Sequence, residues 1–495
     1  MDQLISLIPI AIFLLICTGI AFYVHRKHSG GNFVQEYFIG SRSMGAFVLA
    51  MTTIATYGSV SSFVGGPGQA WDYGFAWVYM AVCQVTALFL LYGIMGKKLA
   101  LIGRKIKAVT IIDIIRARYQ SDLLANISAI VIVIFFVAMM VAQFVGGAKL
   151  FEAVTGYSYL IGLIIFGGAV IIYTTVGGFR GVVLTDALCG IAMLIGIVVL
   201  AFGILSVGGG YENIMTTISE TKPTLLEVDA NGNMPIGLYF TQWLLVGILT
   251  FVLPQSTVRC LGFKNTKSLR NAMILGTIIM GAMMIGVTSL GVLAKGVLPG
   301  TLADYGSSVD NIIPLTVVSS LPPLLAGITI IGPIAASIST VSSLLIASSS
   351  SIIKDMYLHH CEERGKEAKE RTIAFSSQII TLLLGLFVFV LAIVPPDVIW
   401  RINMFSFGGL ETAFFWVLVM GLFWKRATKT GAILSIVGGV LAYCATMAMG
   451  ITFMSLHQIV IGISVSFVLM VVGSLATQKQ NTPAMRKVFF PEYEK

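Results

Sequence analysis

The chain has 495 residues, of which 57% are hydrophobic and 11% carry a charged side chain, less than half the roughly 25% charge of a soluble domain. A mean hydropathy of +0.93, with uncharged runs recurring from end to end, excludes an ordinary soluble enzyme. The formal net charge of +9 would suggest nucleic-acid binding in a soluble chain, but in a membrane protein it is the surplus that cytoplasmic loops accumulate.

A hydrocarbon core about 30 Å thick needs roughly 20 apolar residues per helix. That rule predicts thirteen spans, at 4–24, 44–66, 75–96, 123–148, 158–177, 182–207, 236–257, 270–294, 322–352, 372–394, 402–424, 430–450 and 456–476. The first lacks a basic leader and is followed by positive charge, so it reads as a retained span and not as a signal peptide. The stretch AVTIIDIIRARYQ (108–120) is amphipathic and predicts a short interfacial helix. Segment 208–234, with Glu212, Glu220, Glu227 and Asp229, reads as a polar external loop. LHHCEERGKEAKER (358–371) reads as a solvated linker whose adjacent His359 and His360 lack metal-ligand spacing. The six cysteines form no close pair, which points to neither a disulfide framework nor a zinc site.

Orientation follows from the basic residues. With the N-terminus outside, 27 of the 31 lysines and arginines fall in cytoplasmic loops or the tail. Only Lys149, Lys222, Lys295 and Arg401 remain outside. A miscounted helix would scramble this partition, so the expectation is a multi-pass membrane protein with a short cytoplasmic tail at 477–495. The lipid bilayer is then the expected partner, with no nucleic acid and no obligatory protein.

Two spans look interrupted. ATYGSVSSFVGGPG (55–68) combines hydroxyls with a Gly-Gly-Pro-Gly end, and LTFVLPQSTVR (249–259) places Pro254 inside an apolar run, where it removes a backbone donor. Binding sites of many secondary transporters lie where paired helices from two repeats lose regular hydrogen bonds. The spacing of the two breaks suits five-helix repeats at spans 2–6 and 7–11, residues 44–207 and 236–424, within one transmembrane domain 1–495. The ninth span adds a hydroxyl-rich helix in which Ser339 and Thr340 lie three and four residues after Ala336, near its carbonyl on one face. A hard cation such as sodium wants several oxygen ligands. Two hydroxyls and the Ala336 carbonyl, with carbonyls near Ala55 and Gly58, would supply five. The alternative is that each hydroxyl bonds back to its own helix, and spacing alone leaves that open.

The stretches YTTVGGFRGVVLTDALCGIAMLIG (173–196), AVTIIDIIRARYQ and AASISTVSSLLIASSSSIIKDMY (335–357) resemble the solute:sodium symporter family along nearly the whole chain, departing from its usual pattern at Gly181 and Cys189. Likeness to one branch is carried by EYFIGSRSMG (36–45), SSFVGGPG (61–68), QFVGGAKL (143–150), STVRC (256–260), SIIKDMYL (351–358) and FGGLETAFFW (407–416). The resemblance implies an all-α integral membrane fold with a five-plus-five inverted-repeat (LeuT-like) core and flanking helices, in a bacterial cytoplasmic membrane. It implies a transporter and not an enzyme, with sodium co-transported at Ala55, Gly58, Ala336, Ser339 and Thr340. The expected cargo is pantothenate or a similar small organic anion. Another carboxylate or an amino acid such as proline is the alternative, and a membrane sensor without an output domain the third reading.

Such a cargo carries a carboxylate, an amide and two hydroxyls. The residues expected to face it are Tyr57, Ser59, Ser62, Gln84, Gln143, Gln242, Trp243 and Gln255, with Gln84 and Gln143 foremost because an unpaired glutamine in a bundle is costly. Asp186 is expected to form an inner-gate ion pair with a nearby basic loop residue. Glu411, mid-span, is expected to be protonated, paired or facing water, since an unpaired charge there costs about 2.5–3.5 kcal/mol. Its expected role is structural or gating, because an acid repels an anionic cargo.

Overall fold

A computed structural model describes residues 2–26, 44–230, 232, 234–365, 370–395, 397–480 and 488–490. Most of the motif at 36–45 lies outside the described residues, as do Lys27, Arg42, Lys366, Lys369, Arg486, Lys487 and Lys495 from the charge count. Among the described residues the elements are helices, joined by one isolated parallel bridge between Met44 and Phe263. Eleven helices are long and apolar enough to cross a membrane, and two bent pairs bring the number to thirteen when each pair is one span. These elements coincide with the thirteen predicted spans.

In chain order they are α1 (Ile5–Val24), the bent pair α2 (Ala46–Tyr57) and α3 (Ser61–Tyr73), and α4 (Phe75–Lys105). The interfacial α5 (Ile111–Tyr119) precedes α6 (Asp122–Thr155), α7 (Tyr159–Phe179) and α8 (Gly181–Val207). A short α9 (Tyr211–Thr221) leads to the second bent pair, α10 (Ile236–Val252) and α11 (Pro254–Leu261), then α12 (Thr266–Gly296). A short α13 (Ile312–Ser320) precedes α14 (Pro323–Cys361), α15 (Thr372–Ala392), α16 (Ile399–Phe423), α17 (Lys429–Ala448) and α18 (Ile459–Ala476).

Local chemistry sets the breaks. Gly58 is extended (φ −67, ψ 110), ending α2, and the pair α2–α3 bends by 68°. Leu253 is extended (ψ 127) before Pro254, as the ring requires of its predecessor, and α10–α11 bends by 42°. Between α7 and α8, Gly178 takes φ 55, ψ −166, a conformation open to glycine at little cost.

Small residues let the backbones meet, as expected where lipid supplies no hydrophobic force between helices. A Cβ on Gly196 of α8 would stand 2.8 Å from the Thr329 carbonyl of α14, and one on Gly291 of α12 would stand 2.0 Å from the Pro67 carbonyl of α3. α14 thus runs through the centre, packed by α1, α6, α7 and α8, and it carries the serines and threonines that sequence singled out.

The stretch 208–234 departs from the expected polar loop. Ile214 and Ile218, one turn apart on α9, are both buried, and Ile214 lies against Gly208 and Gly296. An apolar i, i+4 pair turns this segment into a helix docked on the bundle. The linker at 358–371 also begins as helix, with His359 Nε2 placed 2.6 Å from Asp122 Oδ1.

Candidate functional site

The last carbonyls of α2 lose their partners one turn on, because the chain is extended at Gly58. Helix C-terminal carbonyls are unsatisfied and carry partial negative charge. α14 brings its hydroxyls to this end. Ser339 Oγ lies 2.8 Å from the Ala55 carbonyl oxygen, 2.8 Å from that of Ala335 and 3.1 Å from that of Ala336. Thr340 Oγ1 lies 3.4 Å from the Gly58 carbonyl oxygen. Both hydroxyl residues are fully buried. The five oxygens expected to hold sodium therefore converge from two helices. Back-bonding of Ser339 to Ala335 and Ala336 is also present, but it does not explain the reach to Ala55. The structure brings together neutral oxygens of the kind a hard cation prefers, with no carboxylate among them.

Toward the basic face, the next layer is an ion pair. Arg259 on α11 donates from Nη2 to Asp186 Oδ2 at 3.0 Å, with side-chain exposures of 1% and 0%. The same carboxylate oxygen accepts from Thr52 Oγ1 at 2.9 Å. Arg259 further donates to the Gln255 carbonyl at 2.7 Å, to Ser343 Oγ at 2.9 Å and to Thr56. Asp186 thus has its ion-pair partner, but that partner is a buried arginine of the broken span and not a loop residue. The network ties α2, α8, α11 and α14 together.

A second layer closes the basic face. Thr110 Oγ1 donates to Asp355 Oδ1 at 2.7 Å and Arg116 to the Asp355 carbonyl at 2.7 Å, while Lys354 pairs with Asp113. Burial alone would raise the Asp113 carboxyl; Lys354 and the amides of Val109 and Thr110 outweigh it and hold the group below the usual carboxylate range. Between the layers lies a cavity of about 40 Å³ lined in part by Gln255, Arg259 and Ser343.

The opposite face is open. A vestibule of about 790 Å³ is lined in part by Trp77, Gln242, Trp400, Arg401, Met404 and His457. Beneath it, Tyr57, Ser61, Ser62, Gln84, Asn403 and Phe407 surround a space of only about 10 Å³, room for about one water. Trp400 and Met404 line both spaces, so their side chains form the layer between vestibule and closed pocket.

The expected cargo residues therefore separate. Tyr57, Ser62 and Gln84 line the closed pocket. Ser59 Oγ lies 2.6 Å from Ser61 Oγ at the start of α3. Gln143 Oε1 accepts from the freed Val60 amide at 2.9 Å; this glutamine holds the break itself. Gln242 faces the vestibule, Trp243 is half-buried against Tyr239 and Phe240, and Gln255 lies on the basic side of the break. Glu411 is fully buried, and among the described residues neither of its carboxylate oxygens has a hydrogen-bond partner, so of the three states expected for it, pairing and facing water are not found there. Trp400, Asn403 and Arg259 were not expected; each lies at the end of an apolar run, where a polar residue reads as interfacial.

The vestibule rim carries a pH-sensitive contact. The ring nitrogen Nδ1 of His457 accepts from the Ile459 amide at 3.2 Å, and burial pushes the imidazole down to about 4. The unfolded chain binds this proton below about 6.5 and the folded one only below about 4. Stability is then fully present above pH 6.5 and falls as pH drops toward 4, by up to roughly 3 kcal/mol. Thermal unfolding in detergent is expected to show that decline, and His457→Asn, which keeps an acceptor for Ile459, to flatten it.

Comparison with known proteins follows the same lines. The family described as "Sodium:solute symporter family" matches residues 37–439. The sodium/pantothenate symporter of Haemophilus influenzae is 38% identical, over 97% of this chain and 98% of its own. That of Escherichia coli K12 is 40% identical over 95% and 96%. A Staphylococcus aureus sodium/proline symporter is 28% identical over 95% and 93%. Among solved structures, a Na⁺-coupled sialic acid symporter in a substrate-bound outward-open state superposes with a TM-score of 0.77 at 18% identity, covering 95% of this chain and 98% of that one. Mhp1, a nucleobase-cation-symport-1 family transporter, gives 0.58 at 14% identity, covering 91% and 97%. The likeness in structure extends to the all-helical membrane fold.

Proposed function

The chain belongs to the sodium:solute symporter family, and from that premise we propose that it imports pantothenate together with sodium by alternating access. The observation that carries this reading is the meeting of the Ser339 and Thr340 hydroxyls with the Ala55, Gly58 and Ala336 carbonyls across a helix break. Sodium bound there turns hydroxyl lone pairs and helix-end carbonyls onto one cation and clamps α2 to α14. The clamp favours the arrangement in which the vestibule is open and the Asp186–Arg259 layer is shut.

Cargo enters from the vestibule. Displacement of Trp400 and Met404 admits it to the pocket bounded by Tyr57, Ser62 and Gln84. The N-terminus of α3 at Ser61 offers a positive dipole end to a carboxylate without a cationic side chain, and the glutamine and hydroxyls suit an amide and alcohols. Gln143 keeps the break in shape by holding Val60. Release needs both inner layers to part, Asp186–Arg259 and then Asp113–Lys354. Residues 44–207 and 236–424 act as two inverted repeats that rock about the breaks. The basic face lies in the cytoplasm, which puts the N-terminus outside and the tail at 477–495 inside the cytoplasmic membrane. One sodium with one pantothenate monoanion would by themselves move no net charge.

The test is uptake of labelled pantothenate into proteoliposomes. With an inward sodium gradient, accumulation above the external concentration is expected, collapsing when potassium replaces sodium. Uptake indifferent to sodium would remove the coupling; uptake of proline in place of pantothenate would remove the cargo.

A further inference from the structure

Glu411 has no part in the cycle just described, yet it lies at the centre of α16 with 0% exposure and both oxygens unpartnered among the described residues. Gly408 and Gly409, just before it, let neighbours press onto the helix. A Cβ at Gly408 would stand 2.4 Å from the Tyr443 hydroxyl and one at Gly409 2.1 Å from the Phe135 ring. Phe407 and Asn403, four and eight residues earlier, share its face and line the closed pocket with Tyr57. The carboxyl therefore lies one turn below the pocket.

The titratable side chains packed on this stretch of α16 are Tyr57 from α2, its ring centroid 6.5 Å from that of Phe407, and Tyr443 from α17, its hydroxyl against Gly408. From α10, Phe251 packs on Phe415. From α18, Ser466 Oγ donates to the Thr412 carbonyl at 3.0 Å. Lys149 of α6 is placed by Asp310 at Ile399, and Arg118 of α5 donates at Gly421 and Trp424, so both cations sit at the ends of α16. An ionised carboxylate without partner at this depth neutralises itself in preference to bearing its desolvation. Its neutral form, the carboxylic acid, carries a proton.

We propose that Glu411 is a proton-binding site and that its proton travels with sodium and pantothenate as a second co-transported cation. The proposal rests on the symport reading above. α16 packs against α3 and α10, the segments that adjoin the two breaks. When those segments move to open the pocket, water reaches the carboxyl. A proton from that side forms the O–H bond, and the bond breaks to water on the other side after the repeats have rocked. Each cycle then carries one positive charge more than sodium and a monoanion would.

The experiment uses the full chain in proteoliposomes with a pH-sensitive dye inside and the potential clamped by potassium and valinomycin. For wild type, an inward sodium gradient with external pantothenate is expected to acidify the lumen. An imposed inward gradient of one pH unit should raise steady accumulation about tenfold. Glu411→Gln is expected to lose both responses, with uptake reduced to what sodium drives, while Glu411→Asp keeps the acidification. Wild-type uptake without acidification, or a glutamine variant that acidifies like wild type, overturns the proposal while leaving sodium symport intact. Absence of any sodium-driven uptake by wild type overturns the symport reading and this one with it.

Discussion

Alanine at both Ser339 and Thr340 is expected to leave a folded protein whose uptake no longer depends on sodium in the millimolar range. A hydrogen bond or ligand contact to a charged group contributes about 1.5–3 kcal/mol, and each 1.4 kcal/mol is a factor of ten. Losing two of five oxygens therefore weakens apparent sodium affinity by about a hundredfold or more. Fold is retained because both side chains are small and the helix-to-helix approach at Ala55 narrows with alanine. The sodium-activation curve of uptake measures this, with Ser377→Ala as control, since its hydroxyl bonds back to the Ile373 carbonyl of its own helix. An unshifted curve in the double variant would place the ion elsewhere.

The second large effect falls on Asp186 and Arg259. Removing one partner of a buried pair leaves an uncompensated charge and costs about 3–5 kcal/mol. Asp186→Asn and Arg259→Met are each expected to lower the thermal midpoint sharply and to abolish uptake. The double replacement Asp186→Leu with Arg259→Met restores much of the stability, because an apolar pair of similar volume carries no desolvation cost. Transport does not return with it. Thr52, Thr56 and Ser343 lose the groups that bind α2, α11 and α14 into one layer, and the inner side then leaks. Cysteine accessibility at Ser343→Cys, read from the basic side, measures the leak.

The fold was largely legible because its signals are physical lengths and charges. Thirteen apolar runs of membrane-spanning length became the eleven helices and two bent pairs. Pro254 marked one break by removing a donor, and Gly58, set among the hydroxyls and the Gly-Gly-Pro-Gly of 55–68, marked the other. The meeting of these hydroxyls and carbonyls was legible for the same reason: hydroxyls three and four residues past Ala336 share a helix face, and a broken helix nearby frees carbonyls. What a single chain could not reveal was which helix faces meet. Gln143 looked like a cargo ligand because a buried glutamine needs a partner, and its partner is the Val60 amide. Arg259 looked like a loop charge because it follows an apolar run, whereas the 42° bend at Pro254 turns it inward to Asp186. Trp400 and Met404 act at the vestibule floor through tertiary placement that no spacing rule encodes. Ile214 and Ile218 were hidden among the acids of 208–234, which dominated its composition.

The central claim is that sodium at the break prepares the pocket for its cargo, and equilibrium binding measures it most directly. Labelled pantothenate is titrated onto the purified chain in detergent, in sodium and in potassium of equal ionic strength, for wild type and for the Ser339→Ala, Thr340→Ala double variant. The account predicts at least about tenfold tighter binding in sodium for wild type, the size of a typical coupling free energy, and no difference for the variant. Equal affinity in sodium and potassium for wild type, or a sodium effect that survives in the variant, would contradict it.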